Sequence, residues 1–458
     1  MPQPRTDRGR LLLVLALAAA VTAFTATVPL LRGFFDLRVY YGTVHTWVAH
    51  GGRIYDYHVP GTSYGFTYPP FAALAMLPLA PLGRTAAVAV SLLLNLAALA
   101  AVLGILAGPD RRRYGWFRWA LALCLLALFE PLRDTVSFGQ VNLVLLALVL
   151  GDAWLLAAGR DRWAGAGIGL AAAVKLTPAL FIGLLLLAGR RRAAATAVAV
   201  AAAATGLAAW ADPGASRYYW TDALWQTGRV GRLDYVSNQS LQGVLARLGE
   251  TGRPLWATAV LLTLCVWARR THRAARAGDW AAAFALTGAA ACLVSPITWV
   301  HHLVWLLPSF AVLLRTGHRR VAAALYAVLC TSVVWLWVDG ATGPGGFLGG
   351  NAYTWITLGL LLGLPAGQPR AALLARRTTA TAPAPSPATP RPTPMPGQPG
   401  SSSRAPEVAA ATGTAGAAGR DTGRSASSEP TGSTRPAAEK PQSSSARASS
   451  YTVKPPPA

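Results

Sequence analysis

Long apolar segments alternate with short polar ones along most of the chain. The first two apolar segments cover residues 11–31 and 86–108. A hydrocarbon core about 30 Å thick is spanned by roughly 20 helical residues, and helices satisfy their own backbone hydrogen bonds in lipid. The pattern therefore predicts an all-α, polytopic transmembrane bundle. The remaining apolar segments cover about 117–133, 141–158, 164–189, 193–210, 255–268, 281–298, 303–314, 321–338 and 353–364.

Segment 164–189 carries Lys175 and Pro178 near its middle. Proline removes a backbone hydrogen bond from a helix, so a single straight crossing is disfavoured there. We expect two short helices that turn at Lys175 near the outer leaflet, each about 20 Å long at 1.5 Å per residue. With this pair the chain makes about twelve passes.

Clusters of arginine lie between the predicted crossings, at 111–113, 190–192, 269–276 and 315–320. Basic residues in short loops mark the cytoplasmic side of a membrane protein. This rule places the N- and C-termini in the cytoplasm and two larger loops, about 32–85 and 211–254, outside. The run 11–31 is too long for a signal peptide and is interpreted as an uncleaved first helix.

The composition supports a membrane protein, with 53% hydrophobic and 13% charged residues in a chain of 458. The net charge of +23 comes largely from short arginine clusters, which indicate membrane topology rather than a nucleic-acid-binding surface. Spacing typical of metal ligands or disulfides is absent among the cysteines, so we expect neither. The four cysteines are Cys124, Cys265, Cys292 and Cys330.

The composition changes sharply near residue 368. Residues 368–458 are rich in alanine, serine, threonine, proline and glycine, with few large apolar side chains. Such a segment cannot bury enough surface to offset the entropy of ordering. We therefore predict a membrane domain over residues 1–367 and a disordered cytoplasmic tail over 368–458.

Uncommon polar groups border the apolar segments, where they are costly and often functional. The predicted topology places Asp36, the run 237–240 and the pair His301–His302 on the outer side. Asp36 follows the first helix closely, which suits a general base acting on a membrane-embedded substrate. An ion pair with Arg38 or a helix cap is the structural alternative for Asp36.

Seven short motifs occur in a fixed order along the chain. Together they resemble glycosyltransferase family 87 of the GT-C superfamily, the polyprenyl-phosphate-mannose-dependent α-1,2-mannosyltransferases of actinobacteria. The resemblance covers about residues 11–364. The motifs are D-x-x-V-Y at 36–40, a Gly-containing I-Y segment within 51–57, F-x-Y-P-P-x-x-A at 66–73, G-Q-V-N at 139–142, A-x-x-K-L-T-P at 172–178, S-N-Q-S-L-x-G at 237–243 and S-P-I-T-W-x-H-H at 295–302.

The resemblance implies a multi-pass plasma-membrane enzyme, surrounded by lipids, with an extracytoplasmic active site. It implies mannosyl transfer from a polyprenyl monophosphate donor to a cell-envelope glycan or glycolipid acceptor. Asp36 matches the family's base, and one carboxylate suffices for a single inverting displacement. The leaving group is a monophosphate and no DxD stands in an outer loop, so we expect no cofactor or metal.

Other candidate residues follow from the same motifs. Lys175 is the expected contact for the donor phosphate, although a lysine that extends to the head groups is the alternative. His301 and His302 are expected catalytic residues: one donates to the phosphate, for which we choose His302, or polarises the acceptor, while the other packs. The candidates for sugar binding, which could instead serve interfaces or helix packing, are Tyr40, Tyr68, Gln140, Asn142, Asn238 and Gln239.

Two further function classes remain open at this stage. A lipid or glycan transporter or flippase predicts paired repeats and charged groups at mid-depth in several helices. Here the polar groups gather on one side instead. If the protein is a non-catalytic scaffold for envelope assembly, the motifs are accidental and the tail is the functional part. We rank the glycosyltransferase first, the transporter second and the scaffold third.

Overall fold

The computed structural model describes residues 6–27, 32–108, 115–249 and 252–367. Within these ranges the regular elements are helices, and the one β-type contact is an isolated antiparallel bridge between His58 and Gly65. The predicted all-α fold is confirmed. The predicted tail 368–458 and the arginine cluster 111–113 lie outside the described residues.

Eighteen α-helices are present in the described part of the chain. The first nine are α1 (Asp7–Thr27), α2 (Phe35–His50), α3 (Pro70–Met76), α4 (Arg84–Ala107), α5 (Trp116–Leu128), α6 (Glu130–Phe138), α7 (Asn142–Ala157), α8 (Ala166–Val174) and α9 (Leu180–Leu187). The others are α10 (Arg191–Ala211), α11 (Pro213–Thr221), α12 (Leu241–Arg247), α13 (Arg253–Arg276), α14 (Trp280–Val294), α15 (Leu307–Arg315), α16 (Arg319–Cys330), α17 (Gly343–Gly349) and α18 (Ala352–Gly363). Short 3₁₀ helices cover Leu77–Leu79, Thr177–Ala179, Ala223–Trp225, Thr227–Arg229, Val300–Leu306 and Val333–Trp337.

Three described helices are long and apolar enough to cross a membrane, over Asp7–Ala26, Arg84–Ala107 and Arg191–Ala211. Helices α6 and α7 pass the same test together but are bent by 116° at their junction, so they count as a fourth span only if taken as one. The helices at the other predicted crossings are too short or not apolar enough to pass this test. The predicted count of about twelve passes therefore stays a prediction.

The broken helix predicted at Lys175 is present. Helix α8 ends at Val174, Lys175 has an extended backbone (φ −150°, ψ 131°), and a 3₁₀ turn at Thr177–Ala179 leads into α9. Pro178 occupies the first turn of this new helix, where its missing N–H is not needed. The break places the half-buried Lys175 at the end of α8.

Three predicted crossings differ from the structure. The segment 117–133 divides at Phe129, because Pro131 cannot continue α5 and instead begins α6. The segment 303–314 begins as the 3₁₀ helix Val300–Leu306, with Pro308 in the first turn of α15. The segment 321–338 divides at Ser332, which has φ 56°. In each case the α-helix is shorter than the apolar segment that predicted it.

Helix α14 forms the centre of the packed bundle. Its residues are almost all buried, and it packs against α7, α9, α13, α15 and α18. Gly288 of this helix has no side chain to hold its neighbour away: a Cβ there would stand 2.8 Å from the backbone oxygen of Trp305. The 3₁₀ helix that carries His301 and His302 therefore lies directly against α14.

Candidate active site

Asp36 stands in the first turn of α2, immediately after a tight turn. Gly33 and Phe34 both have positive φ, at 57° and 54°. The left-handed conformation costs a residue such as phenylalanine ~1–2 kcal/mol. The Phe34 N–H donates to the backbone oxygen of Ser137 at 2.9 Å, which attaches the turn to the end of α6.

Gly139 brings the next motif against this turn. It has φ 70°, and a Cβ at this position would stand 2.6 Å from Cβ of Leu37. Glycine alone adopts this conformation without steric cost and leaves room for α2. Gln140, the following residue, consequently reaches Asp36.

A continuous hydrogen-bond network joins the carboxylate to the lysine. The Gln140 amide donates to Oδ2 of Asp36 at 2.6 Å, and its Oε1 accepts from the Tyr68 hydroxyl at 3.0 Å. The Tyr68 hydroxyl accepts in turn from the Tyr40 hydroxyl at 3.0 Å and from Nζ of Lys175 at 3.1 Å. Five residues from four separate motifs are thereby brought together.

Lys175 has two further polar neighbours. Its Nζ donates to Oδ1 of Asn142 at 3.1 Å and lies 2.8 Å from Nε2 of His302. Nδ1 of His302 accepts from the backbone N–H of Trp299 at 3.0 Å. A backbone N–H can only donate, so Nδ1 is unprotonated and the ring proton is on Nε2. Nζ of Lys175 and Nε2 of His302 therefore lie side by side, and both nitrogens carry protons.

The two histidines stand at one end of this network with perpendicular rings, whose centroids are 4.6 Å apart. The His301 backbone oxygen accepts from the Thr135 hydroxyl at 2.9 Å and from the Asn142 amide at 3.3 Å, which fixes the segment. Both side chains line the same cavity. His301 is 4% exposed and its ring lies 5.1 Å from that of Phe138, whereas His302 contacts Lys175. The expectation that one histidine acts on the substrate while the other packs stays a prediction.

The cavity has a volume of about 360 Å³, within the range of small-ligand sites. Asp36 is its carboxylate, and three cationic side chains line it: Arg32, Lys175 and Arg229. Burial raises the pKa of Asp36 to about 6, while the Gln140 hydrogen bond and the Lys175 charge act in the opposite direction. The carboxylate can thus be ionised near neutral pH and still accept a proton.

The predicted residues fall into two groups. Asp36, Tyr40, Tyr68, Gln140, Lys175, His301 and His302 line the cavity. Asn142 is fully buried behind Lys175 and reaches the cavity only through it.

Asn238 and Gln239 are fully buried and do not line the cavity. The Asn238 amide donates to the backbone oxygens of Leu233 and Pro296 and accepts from the Thr298 N–H. The Gln239 amide donates to Val236 and Gly350 and accepts from Thr354. Both side chains hold loops together, so the structure does not place them for the predicted sugar binding.

A second polar cluster, which was not predicted from the sequence, lies beside the cavity. Glu130 is fully buried and accepts from Nε1 of Trp335 at 2.5 Å and from the Tyr353 hydroxyl. Arg32 lies 3.7 Å from the buried Asp134. Carboxylates within an apolar stretch are the signal that would have drawn attention to this cluster. Among the described residues, no three His, Cys, Asp or Glu side chains are grouped so that they could hold a metal ion.

Comparison with known proteins gives the same family as the motifs. The sequence model of glycosyltransferase family 87 matches residues 66–296. The chain is 35% identical over 326 residues to the polyprenol-phosphate-mannose-dependent alpha-(1-2)-phosphatidylinositol mannoside mannosyltransferase of Mycobacterium tuberculosis, covering 65% of this chain and 74% of the relative. It is 31% identical over 355 residues to the corresponding phosphatidylinositol pentamannoside mannosyltransferase from the same species, covering 73% of this chain and 80% of the relative.

No solved structure matches the chain significantly. The family model covers half of the chain, in the region where most of the cavity-lining motifs lie, and the relatives extend the similarity beyond it. The resemblance inferred from the seven motifs is thereby confirmed: this chain belongs to glycosyltransferase family 87.

Proposed function

We propose that this hexosyltransferase moves a mannosyl group from a polyprenyl monophosphate donor to a glycan or glycolipid acceptor of the cell envelope. The relatives are named for phosphatidylinositol mannosides, which are the first acceptors to test. The observation that carries the proposal is the network joining Asp36 to Lys175 across one cavity. A base for the acceptor and a cation for the leaving group stand in a single continuous site.

In the proposed reaction Asp36 removes the proton of the acceptor hydroxyl. The hydroxyl oxygen forms a bond to the anomeric carbon as the bond between that carbon and the phosphate oxygen breaks. The electron pair leaves with the polyprenyl phosphate. One displacement inverts the anomeric carbon, so a β-linked donor yields an α-linked product, for which we propose the 1,2 linkage.

Lys175 and His302 are the proposed contacts for the donor phosphate. Nζ of Lys175 and Nε2 of His302 are 2.8 Å apart, and Nδ1 of His302 is already bonded to the Trp299 N–H, so the Nε2 proton is the one that His302 can donate to a ligand. A phosphate oxygen can accept from both groups, and hydrogen bonds to ionised groups are the stronger ones. Asn142 supports this arrangement by holding Lys175.

We further propose that the cavity opens on the extracytoplasmic face. The positive-inside rule supports this orientation, because the arginine clusters between the predicted crossings then lie in the cytoplasm. The tail 368–458 belongs to the cytoplasmic side in this arrangement, and the membrane domain is formed by residues 1–367.

The test is transfer of radiolabelled mannose from polyprenyl phosphate mannose in membranes that contain the protein. Asp36→Asn should retain expression and abolish labelling, because the amide cannot accept the hydroxyl proton. Asp56→Asn is the matched control: Asp56 is exposed in the same predicted loop and does not line the cavity.

Each outcome separates the candidate functions. Labelling that requires Asp36 but not Asp56 supports transfer by this site. Near-normal labelling by Asp36→Asn would exclude its role as the base. Absence of labelling by the unmodified, folded protein would favour another polyprenyl-phosphate sugar as the donor. If no such sugar is transferred either, the result would favour the transporter or the scaffold function.

A further inference from the structure

Arg32 is held against the cavity wall by two aromatic rings. Its guanidinium carbon lies 4.5 Å from the ring centroid of Trp335 and 5.6 Å from that of Phe138. Trp335 is itself fixed, since its Nε1 donates to the buried Glu130 at 2.5 Å. All three side chains that meet here, Arg32, Trp335 and Phe138, line the cavity. The guanidinium is therefore preorganised.

A buried carboxyl group stands behind Arg32. Its Nε lies 3.7 Å from Oδ1 of Asp134, whose side chain is 1% exposed and does not line the cavity. Nε and Nη2 of Arg32 are buried, without a hydrogen-bond partner in the described part of the chain, and 21% of the side chain is exposed. Arg32 thus presents to the cavity a guanidinium that is held in place by packing. Because the carboxyl group of Asp134 already stands beside it, a neutral polar ligand fits this side chain better than a second phosphate.

The neighbouring wall of the cavity is aromatic. Tyr235 stands edge-on to Trp299 at 6.2 Å and to Trp335 at 6.0 Å, measured between ring centroids. The three residues line the cavity together. A pyranose presents C–H groups on its faces and hydroxyl groups at its edge. Aromatic faces with a planar donor beside them match both kinds of group.

This wall meets the proposed phosphate contact at Trp299, whose backbone N–H donates to Nδ1 of His302, whereas two aromatic rings stand between Arg32 and His302. Arg32 lies over Phe138, the Phe138 ring is 5.1 Å from that of His301, and His301 adjoins His302, which contacts Lys175. Inversion requires the attacking hydroxyl to approach from the side opposite the leaving phosphate. Asp36, the proposed base for the acceptor hydroxyl, lies four residues after Arg32 and lines the same cavity, which favours the acceptor's side for this wall.

Building on the proposed function, we propose that Arg32, Trp335 and Trp299 form a subsite for the hydroxyl groups of a neutral hexosyl residue of the acceptor. The subsite recognises the sugar that receives the transferred group. It does not recognise a phosphodiester elsewhere in the acceptor.

The experiment measures transfer by purified protein in mixed micelles, with polyprenyl phosphate mannose as donor and a phosphatidylinositol mannoside as acceptor. The variant is Arg32→Lys, which keeps the positive charge beside Asp134 but loses the planar guanidinium. Arg232→Lys is the matched control, because Arg232 forms an exposed ion pair with Asp234 and does not line the cavity. Phosphatidylinositol without mannose is tested as a competitor, since it carries the phosphodiester alone.

Arg32→Lys should raise the acceptor KM roughly tenfold or more, leave the donor KM unchanged and leave the inhibition constant of phosphatidylinositol unchanged. A raised donor KM would assign Arg32 to the donor sugar, and weaker inhibition by phosphatidylinositol would assign it to the phosphodiester; either result overturns the subsite. A lower kcat and melting temperature without a change in acceptor KM would show a structural role and also overturn it. Transfer with an unchanged acceptor KM removes the subsite alone, whereas absence of transfer by the unmodified protein removes the proposed function and the subsite together.

Discussion

Replacement of Gln140 by leucine tests how the carboxylate is tuned. The Gln140 amide donates to Asp36 at 2.6 Å, and this hydrogen bond lowers the pKa of a carboxyl group that burial raises to about 6. Leucine has a similar size but no donor. The ionised form of Asp36 loses its hydrogen bond, so the pKa of Asp36 should rise further in Gln140→Leu.

The size of the shift follows from the strength of that bond. A hydrogen bond to a charged group contributes about 1.5–3 kcal/mol, and one pKa unit corresponds to about 1.36 kcal/mol. The pKa of Asp36 should therefore rise by about 1–2 units, to roughly 7–8. A general base works in its deprotonated form, so activity rises as pH increases through this pKa. The acid limb of the profile should move to higher pH in the variant.

The assay is kcat/KM for mannosyl transfer against pH, because this ratio reports the pKa values of the free enzyme. Gln242→Leu serves as the control, since Gln242 is half-buried on α12 and does not line the cavity. A Gln140→Leu profile with its acid limb still near pH 6, whatever its maximal rate, would refute the assignment of Asp36 as a base tuned by Gln140.

Three other changes have defined outcomes. Lys175→Met should raise the donor KM about ten- to hundredfold by removing a charged phosphate contact, with the acceptor KM unaffected; equal changes in both constants would contradict this role. Gly139→Ala should lower kcat and the melting temperature together, because a Cβ would stand 2.6 Å from Cβ of Leu37 at a φ of 70°; normal thermal stability would argue against this packing. In a cysteine-free background, Thr221→Cys should react with an impermeant maleimide in intact cells and Arg320→Cys only after permeabilisation, and the reverse pattern would invert the proposed topology.

The broken helix shows what local chemistry can predict. A proline and a lysine within an apolar segment disfavour a continuous helix whatever surrounds it, and the break at Lys175 is where the sequence indicates it. The division at Phe129 was missed, although Pro131 has the same effect. The division was not predicted because the apolar pattern continues past α5, and hydrophobicity alone does not distinguish one long helix from two.

The amide side chains show the opposite case. Gln140, Asn238 and Gln239 are all amides near helix ends in motifs of the same kind, and residue type gives no basis for separating them. The Gln140 amide donates to Asp36, whereas the amides of Asn238 and Gln239 donate to backbone oxygens of neighbouring loops. Only the packing of the folded chain determines which of these amides lines the cavity.

The sequence by itself determined the helical class, the family and the residue types of the site, because lipid permits few backbone solutions and polar groups in apolar segments are costly. It also marked Asp36, Lys175 and His302 as separate candidates. The tertiary structure alone decided that Gln140 and Tyr68 join them into one network and that Arg32 and Trp335 form the neighbouring wall. These contacts link positions up to about 300 residues apart, and the separation in sequence carries no information on which faces of the helices will meet.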